Sequence, residues 1–180
     1  MHAATATDTA PRYDSRSIRL HWVTALLVIV LWSLGETIDW FPRGEPRVVA
    51  RSLHITFGVL LAAILCWRIW WRAARGARLP AEPGALGKLA TAVHFALYAV
   101  LAATVVLGIV YTWARGDSIF GWFSLPSFAP GDKELRGQIE ELHSLGANVL
   151  LILAGVHACA ALWHHYIIKD GVLRRMLPAR

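Results

Sequence analysis

The sequence contains little cysteine and no cysteine motif. Its 180 residues include only Cys66 and Cys159, and neither belongs to a CxxC or a CxxCH pattern. The lack of these motifs excludes a paired-cysteine zinc site and a thioether-linked prosthetic group. Because both cysteines lie within apolar runs, they are interpreted as small apolar residues rather than a disulfide or redox pair.

Long apolar runs are what the sequence does contain, since 56% of its residues are hydrophobic. A soluble domain would be about 45–50% apolar. Each run reaches the roughly 20 residues that cross about 30 Å of hydrocarbon, and a chain this short could not bury four such helices on all sides. The sequence therefore predicts an all-α integral membrane protein, a four-helix transmembrane bundle with helices at about 18–38, 53–71, 89–113 and 142–168.

The net charge of +6 is distributed as in a membrane protein rather than a nucleic-acid binder. With the N-terminus inside, 12 of the 18 basic residues fall in cytoplasmic segments, which fits the positive-inside rule and puts both termini in the cytoplasm. Lipid is the predicted partner and nucleic acid is excluded. Residues 1–15 are predicted to be a disordered cytoplasmic tail, 16–176 the membrane domain, and 177–180 a cytoplasmic end.

The last run holds no Asp, Glu, Lys or Arg, yet it carries a stripe of histidines. His143 and His157 are fourteen residues apart, so on a helix they lie within about 40° of each other and about 21 Å apart along the axis. His164 lies seven residues further, about 20° further round. An ionisable group inside a bilayer is costly and indicates a functional site. His165 lies off this stripe and is assigned no role.

Depth in the membrane limits how the histidines can pair. Four-helix bundles hold cofactors between facing side chains, and haem iron takes one or two axial ligands, often imidazole. His54 and His143 are the two histidines near the external face, so an external haem with two histidine ligands would use this pair. On the inner side His157 could pair with His21 or His94, and spacing alone does not separate them. Gly58, one turn after His54, leaves space for a bulky planar group.

Other readings compete with a haem site. A membrane histidine also serves as a hydrogen-bonding residue between helices. Catalytic zinc usually adds a carboxylate or a third close histidine, and His143 and His157 of the fourth run are too far apart for one ion. A proton pathway usually places carboxylates at depth.

Several segments resemble the bacterial cytochrome b561 family of four-helix dihaem membrane cytochromes. They are RLHW, LHITFG, HFALY, ELHSLGANVL and GVHACAALWHHYIIKD, and the resemblance covers nearly the whole chain from Arg19. The resemblance implies two non-covalent haems b in the bundle core of an inner-membrane protein. Its ligand positions match four histidines in two pairs, His21 with His157 and His54 with His143. His94 then becomes a packing residue beside the haem.

The same resemblance implies an activity, since members of the family include a superoxide oxidase that passes electrons from periplasmic superoxide to ubiquinone. His164 matches a position near the family's quinone site, and three arginines are expected as quinone or propionate partners: Arg16, Arg68 and Arg72. Three external arginines could focus a small anion by their positive charge, unless nearby acidic residues balance that charge. They are Arg43, Arg47 and Arg51. The alternatives are a quinone-linked electron-transfer subunit with a partner dehydrogenase or hydrogenase, and a non-redox membrane protein with metal- or proton-binding histidines.

Overall fold

The fold is an antiparallel bundle of four long helices. The structure is a computed structural model, and it describes residues 12–77, 79–80 and 83–178. The helices are α1 (Ser15–Thr37), α2 (Glu45–Ala74), α3 (Gly84–Arg115) and α4 (Lys133–Trp163). Within each of the pairs α1–α2 and α3–α4 the contact is extensive, and α2–α3 and α1–α4 contacts close the ring.

Local sequence signals explain where the helices begin and end. Asp14 caps α1, because its carboxylate accepts hydrogen bonds from the backbone N–H groups of Arg16 and Ser17, and Asp132 caps α4 by accepting from Leu135 N–H. Gly116 ends α3 in the left-handed conformation, with φ 69°. These caps satisfy backbone groups that a membrane-crossing helix would otherwise leave unpaired at its ends.

The centre of the bundle is a leucine core to which all four helices contribute: Leu27, Leu31, Leu61, Leu65, Leu101 and Leu150. Helices α3 and α4 approach each other closely, since a Cβ added at Gly146 of α4 would lie 2.6 Å from Thr104 Oγ1 of α3. Small residues at such crossings let helix backbones approach in a membrane. Many large apolar side chains remain exposed on the outside of the bundle. All four helices are long and apolar enough to cross a membrane, which confirms the predicted fold class.

The two ends of the bundle differ. At the terminal end, where the described residues begin and end, Tyr13 N–H donates to the Arg175 carbonyl at 3.1 Å, and Trp22 Nε1 donates to the Met176 carbonyl at 2.8 Å. At the opposite, distal end, a β-hairpin follows α3, with β1 (Ser118–Ile119) and β2 (Phe123–Ser124) pairing as 118↔124 and 119↔123. The hairpin docks on α2 because Phe120 N–H donates to the fully buried Ser52 Oγ at 2.8 Å.

Each predicted run lies almost wholly inside a helix of the structure, and the helices extend beyond the runs. Residues 45–51, expected in the loop before the second helix, already belong to α2, so His54 lies more than two turns inside it. The polar stretch from Lys133 extends α4 beyond the apolar run. The hairpin was not predicted. The predicted tail lies mostly outside the described residues, which begin at Arg12.

Candidate haem sites

The distal end brings His54 of α2 and His143 of α4 together. Their ring centroids are 6.1 Å apart and their planes are nearly perpendicular, at 82°. A metal–imidazole bond is about 2 Å long, and the ring centre lies about 1 Å behind the ligating nitrogen, so two axial imidazoles on one metal have centroids about 6 Å apart. The spacing of this pair therefore fits two axial ligands of a single iron.

The ring of His143 is held from behind by α3. Its Nδ1 lies 2.9 Å from the Thr104 carbonyl oxygen. Because a carbonyl only accepts, Nδ1 carries the proton and Nε2 presents its lone pair, which is the tautomer of a metal-ligating histidine. Gly108, one turn after Thr104, makes room for the ring, since a Cβ there would lie 2.8 Å from His143 Cε1.

His54 occupies an equivalent position against α1. A Cβ added at Gly35 would lie 3.3 Å from His54 Cε1. Leu31, one turn before Gly35, directs its carbonyl towards the ring. Within the described part of the chain, however, Nδ1 of His54 is buried without a hydrogen bond of good geometry. Both distal histidines thus pack on a glycine of the neighbouring helix, which is the kind of surface a fixed axial ligand needs.

A cavity of about 1230 Å³ lies at this pair and is lined by all four helices. Ligand pockets usually measure about 300–1,000 Å³. Gly58 lines the cavity, and nothing lies within 4 Å of the Cβ that a side chain there would add, so the space expected beside His54 is present. The two facing imidazoles, the glycine surfaces and the size of the cavity fit a haem.

Charged groups gather where this cavity reaches the distal end. Asp117 follows α3, and its Oδ1 lies 3.2 Å from Arg115 Nε and 3.9 Å from Arg51 Nη1. Burial raises the pKa of Asp117, and the two guanidinium groups offset this only in part. Two cations therefore share one buried carboxylate at the cavity.

The three arginines expected to steer an anion differ in their surroundings. Arg47 pairs with Asp39 at 3.1 Å and donates to the carbonyls of Phe41 and Asp39. Arg51 lines the cavity three residues before His54, whereas Arg43 is exposed on the loop. Acidic groups balance part of the cluster, and Arg51 is the member that lies at the candidate site.

Towards the terminal end, three histidines form a second cluster. The His21 and His157 ring centroids are 6.3 Å apart, and those of His94 and His157 are 5.2 Å apart. The first distance matches the distal pair, whereas the second is short for two imidazoles with a metal between them. Arg68 Nη2 lies 3.1 Å from His21 Nδ1, and because a guanidinium only donates, this nitrogen accepts.

The other predicted residues of the inner side lie around this cluster. The Arg68 guanidinium lies 5.0 Å from the centre of the Tyr98 ring, Arg16 lies 4.6 Å from that of Trp71, and Arg72 lies 5.7 Å from that of Tyr13. His164 begins a π-helical turn after α4, and its Nδ1 is hydrogen-bonded to the Asp170 carboxylate. Arg16, Arg68 and Arg72 thus occupy the same end as the inner histidines, engaged with aromatic faces.

Among residues 12–77, 79–80 and 83–178, no three His, Cys, Asp or Glu side chains are grouped so that they could hold one metal ion. This finding goes against the zinc alternative, which needs three or four protein ligands. Gly35, Gly108 and Asp170 were not predicted from the sequence. A glycine inside each helix that faces a histidine was a visible signal for the first two, but helix neighbours were needed to interpret it.

Comparison with known proteins identifies the family of the chain. A sequence model described as prokaryotic cytochrome b561 matches residues 12–179. Cytochrome b561 homolog 1 of Escherichia coli K12 is 33% identical over 173 residues, covering 94% of this chain and 98% of that protein. The probable superoxide oxidase CybB of Yersinia pestis is 30% identical over 174 residues, covering 94% and 97%. Cytochrome b562 of Cereibacter sphaeroides is 30% identical over 176 residues, covering 94% and 98%.

The family match spans almost the whole chain, and the relatives match it end to end. Four membrane-spanning helices and this family fit a protein of the bacterial inner membrane. The chain therefore belongs to the prokaryotic cytochrome b561 family, a membership that implies haem b binding and electron transfer.

Proposed function

We propose that this protein oxidises superoxide at the periplasmic face of the inner membrane and reduces ubiquinone on the cytoplasmic side. It would bind two haems b, one between His54 and His143 and one between His21 and His157. The observation that carries this proposal is the pair of matching ring separations, 6.1 Å and 6.3 Å, at the two ends of one bundle. The membrane unit would be residues 16–176, with the terminal end in the cytoplasm.

Bound haem supplies the one-electron couple, and the chain supplies its position. The imidazoles of α4 lie on one stripe, about 21 Å apart along the helix axis. His54 and His143 would hold one haem and His21 and His157 the other, and each haem would supply one-electron chemistry without binding a small molecule at its iron. The leucine core between the two histidine pairs excludes water from the interior.

The inner site requires one rearrangement that the distal site does not. Arg68 donates to His21 Nδ1, which puts the ring proton on Nε2. Ligation through Nε2 therefore requires that Arg68 release Nδ1 or that the ring turn over. Arg68 would then be available to a haem propionate, the role proposed for it together with Arg16 and Arg72.

Superoxide is proposed as donor because a relative of nearly equal length is named a probable superoxide oxidase. Arg51 supports the entry of a small anion, since its guanidinium lines the cavity and shares Asp117 with Arg115. Ubiquinone is proposed as acceptor at the terminal end beside His164, the histidine that continues the α4 stripe.

Haem content tests the proposed sites directly. The purified protein is expected to hold two haems b per chain, and His143→Ala should hold one, because the distal pair loses a ligand while His21 and His157 remain. The measurement is the pyridine haemochromogen assay against protein concentration. A His143→Ala protein that keeps both haems would show that the distal assignment is wrong.

Superoxide chemistry is tested separately by stopped-flow mixing of superoxide with the oxidised holoprotein. Haem reduction should be much faster than spontaneous dismutation of superoxide, and added ubiquinone should reoxidise the haem. If superoxide leaves the haems oxidised while a quinol reduces them, the donor assignment fails and the haem sites remain.

An electron carrier without superoxide chemistry is the second candidate. It is favoured by the relatives that are named simply as cytochromes. A redox partner protein would then deliver the electrons, and co-purification with a soluble dehydrogenase or hydrogenase would support this function.

A further inference from the structure

Irregular backbone is concentrated between α4 and the end of the chain. Residues His164–Ile168 form a π-helical turn, and Lys169 N–H donates to the His164 carbonyl at 2.7 Å, a bond that spans five residues. Lys169 itself is left-handed, with φ 60°, a conformation that is uncommon for residues other than glycine. Single π-helical turns in α-helices are rare and frequently mark functional sites.

This irregular backbone makes one specific contact. The Asp170 carboxylate pairs through Oδ2 with Nδ1 of His164, and its Oδ1 accepts the backbone N–H of Val172 at 3.1 Å. In a regular α-helix, residues six apart point about 120° away from each other and are separated by about 9 Å along the axis. The π-helical turn and the left-handed Lys169 are therefore what bring the carboxylate back to the imidazole.

We propose that Asp170 is a positioning residue for His164, and that the two form a proton-delivery pair for the quinone. This inference rests on the proposed function, because it assumes that ubiquinone is reduced at this end. The carboxylate accepts from Nδ1–H, which fixes the orientation of the ring and leaves Nε2 as the nitrogen that can donate to a quinone oxygen. Hydrogen bonds from His164 and Val172 outweigh partial desolvation and lower the pKa of Asp170, so the carboxylate stays ionised.

The proton balance of the reaction assigns the pair its task. Two superoxide anions each lose one electron and leave as dioxygen, and one quinone gains two electrons and two protons to become a quinol. When the His164 ring carries a proton on both nitrogens, its Nε2–H bond breaks as an O–H bond forms at one quinone oxygen. Cytoplasmic water then reprotonates the ring, and the second quinone oxygen takes its proton from the same water. Both side chains are about one-third exposed, so water reaches the pair.

The position of the pair suits this task. His164 lies seven residues after His157, about 10 Å further along the helix and on nearly the same face. The segment is also fixed to α1, since Trp22 Nε1 donates to the Met176 carbonyl at 2.8 Å. The pair thus lies between the inner histidines and the water at the terminal end, where electrons and protons would meet.

The test compares Asp170→Asn with Asp170→Glu in the purified holoprotein. Asparagine keeps the size of the side chain and an oxygen for Val172 N–H but removes the charge, whereas glutamate keeps the charge. Asp170→Asn should slow haem reoxidation by a short-chain ubiquinone by about tenfold, a fraction of the 10²–10⁴ typical of general acid catalysis. The KM for quinone should stay unchanged, and Asp170→Glu should recover a substantial part of the rate.

The control is His165→Gln. His165 is the neighbouring histidine, its ring packs against Tyr166, and it lies outside the pair, so its substitution should leave both half-reactions unchanged. An Asp170→Asn protein that reoxidises at the wild-type rate would overturn the proposal. A protein in which asparagine and glutamate slow the rate equally, or in which KM rises with the loss of rate, would show a structural role instead.

The two half-reactions keep this inference separate from the function on which it rests. Haem content and haem reduction by superoxide should be unchanged in every Asp170 variant. If the wild-type haems are not reoxidised by ubiquinone at all, the proposed acceptor fails. If they are, the Asp170 variants decide the role of the pair.

Discussion

Nδ1 of His143 lies 2.9 Å from the backbone carbonyl oxygen of Thr104, so Nδ1 carries the ring proton and Nε2 presents its lone pair. The partner is a main-chain atom of α3, so no substitution of the Thr104 side chain removes it. The His143 ring fits against α3 because Gly108, one turn after Thr104, has no side chain. An orienting hydrogen bond behind a ligating histidine usually contributes 10- to 100-fold in metal affinity.

Gly108→Ala is therefore expected to displace the His143 ring and lower distal haem occupancy. The added Cβ would lie 2.8 Å from His143 Cε1, closer than such atoms approach without movement. Gly35→Ala should have a weaker effect of the same kind, because its Cβ would lie 3.3 Å from His54 Cε1. The measurement is haem content together with the reduced-minus-oxidised spectrum.

The matched control is Gly155→Ala on the exposed face of α4, where nothing lies within 4 Å of an added Cβ. It tests the cost or benefit of alanine in a membrane helix without touching a histidine. Equal haem loss in Gly155→Ala and Gly108→Ala would mean that the glycines act on helix stability and not on the ligands.

The bundle itself was predictable because its evidence is local in the sequence. Twenty apolar residues in a row cross a bilayer whatever their neighbours are, and a histidine's depth follows from counting along its own helix. The roles of Gly35 and Gly108 could not be predicted, because the evidence for them is not local in the sequence. Their meaning depends on which histidine of the adjacent helix faces them, and no period within one helix carries that information.

Two other contacts in the structure also could not be predicted from the sequence. Asp170 meets His164 only because the backbone leaves the α-helical path, and helical periodicity places those residues on different faces. The charge of Arg51 could be counted in advance, but its sharing of Asp117 with Arg115 depends on the hairpin that follows α3. Loop geometry sets both contacts.

Two substitutions distinguish His21 from His94 as the partner of His157. His21→Ala should lose the inner haem, because its ring lies 6.3 Å from that of His157, the spacing of two axial ligands. His94→Ala should keep two haems, since the 5.2 Å between His94 and His157 is short for ligation of one iron by both. The measurement is haem content, with the inner-haem signal followed by potentiometric titration. Loss of a haem in His94→Ala but not in His21→Ala would reverse the assignment.

Arg51→Gln is expected to slow haem reduction by superoxide by about threefold at low ionic strength and by less at high salt, because one positive charge at the cavity is removed. Arg47→Gln is the matched control. The Arg47 guanidinium forms an ion pair with Asp39 and donates to backbone carbonyls of the loop before α2, so its charge is directed into that loop. The measurement is the second-order rate constant against salt concentration. The same slowing in both variants would point to net charge rather than to a local steering site.

Asp14 connects the start of α1 to α2, and its removal should destabilise the fold. Its carboxylate caps α1 and also accepts from Trp71 Nε1 at 3.0 Å and from Ala77 N–H at 3.2 Å. Partial desolvation alone would raise the pKa of Asp14, but the hydrogen bonds from Ser17, Ala77 and Trp71 hold it well below its usual value. Asp14→Ala should therefore cost about 1–2 kcal/mol at neutral pH, the upper range for loss of an N-cap.

The pH dependence of that loss is the sharper test of Asp14. A carboxyl group whose folded-state pKa is depressed contributes fully above its unfolded pKa of about 4, and the contribution declines as pH falls below that value. The Tm difference between wild type and Asp14→Ala, measured by circular dichroism in detergent, should be constant from pH 8 to pH 5 and shrink below about pH 4. Asp14→Asn keeps a good cap but loses the charge, so its Tm should lie between the two at neutral pH. A Tm difference that grows on acidification would mean that the carboxylate opposes folding, against the geometry of its five donor groups.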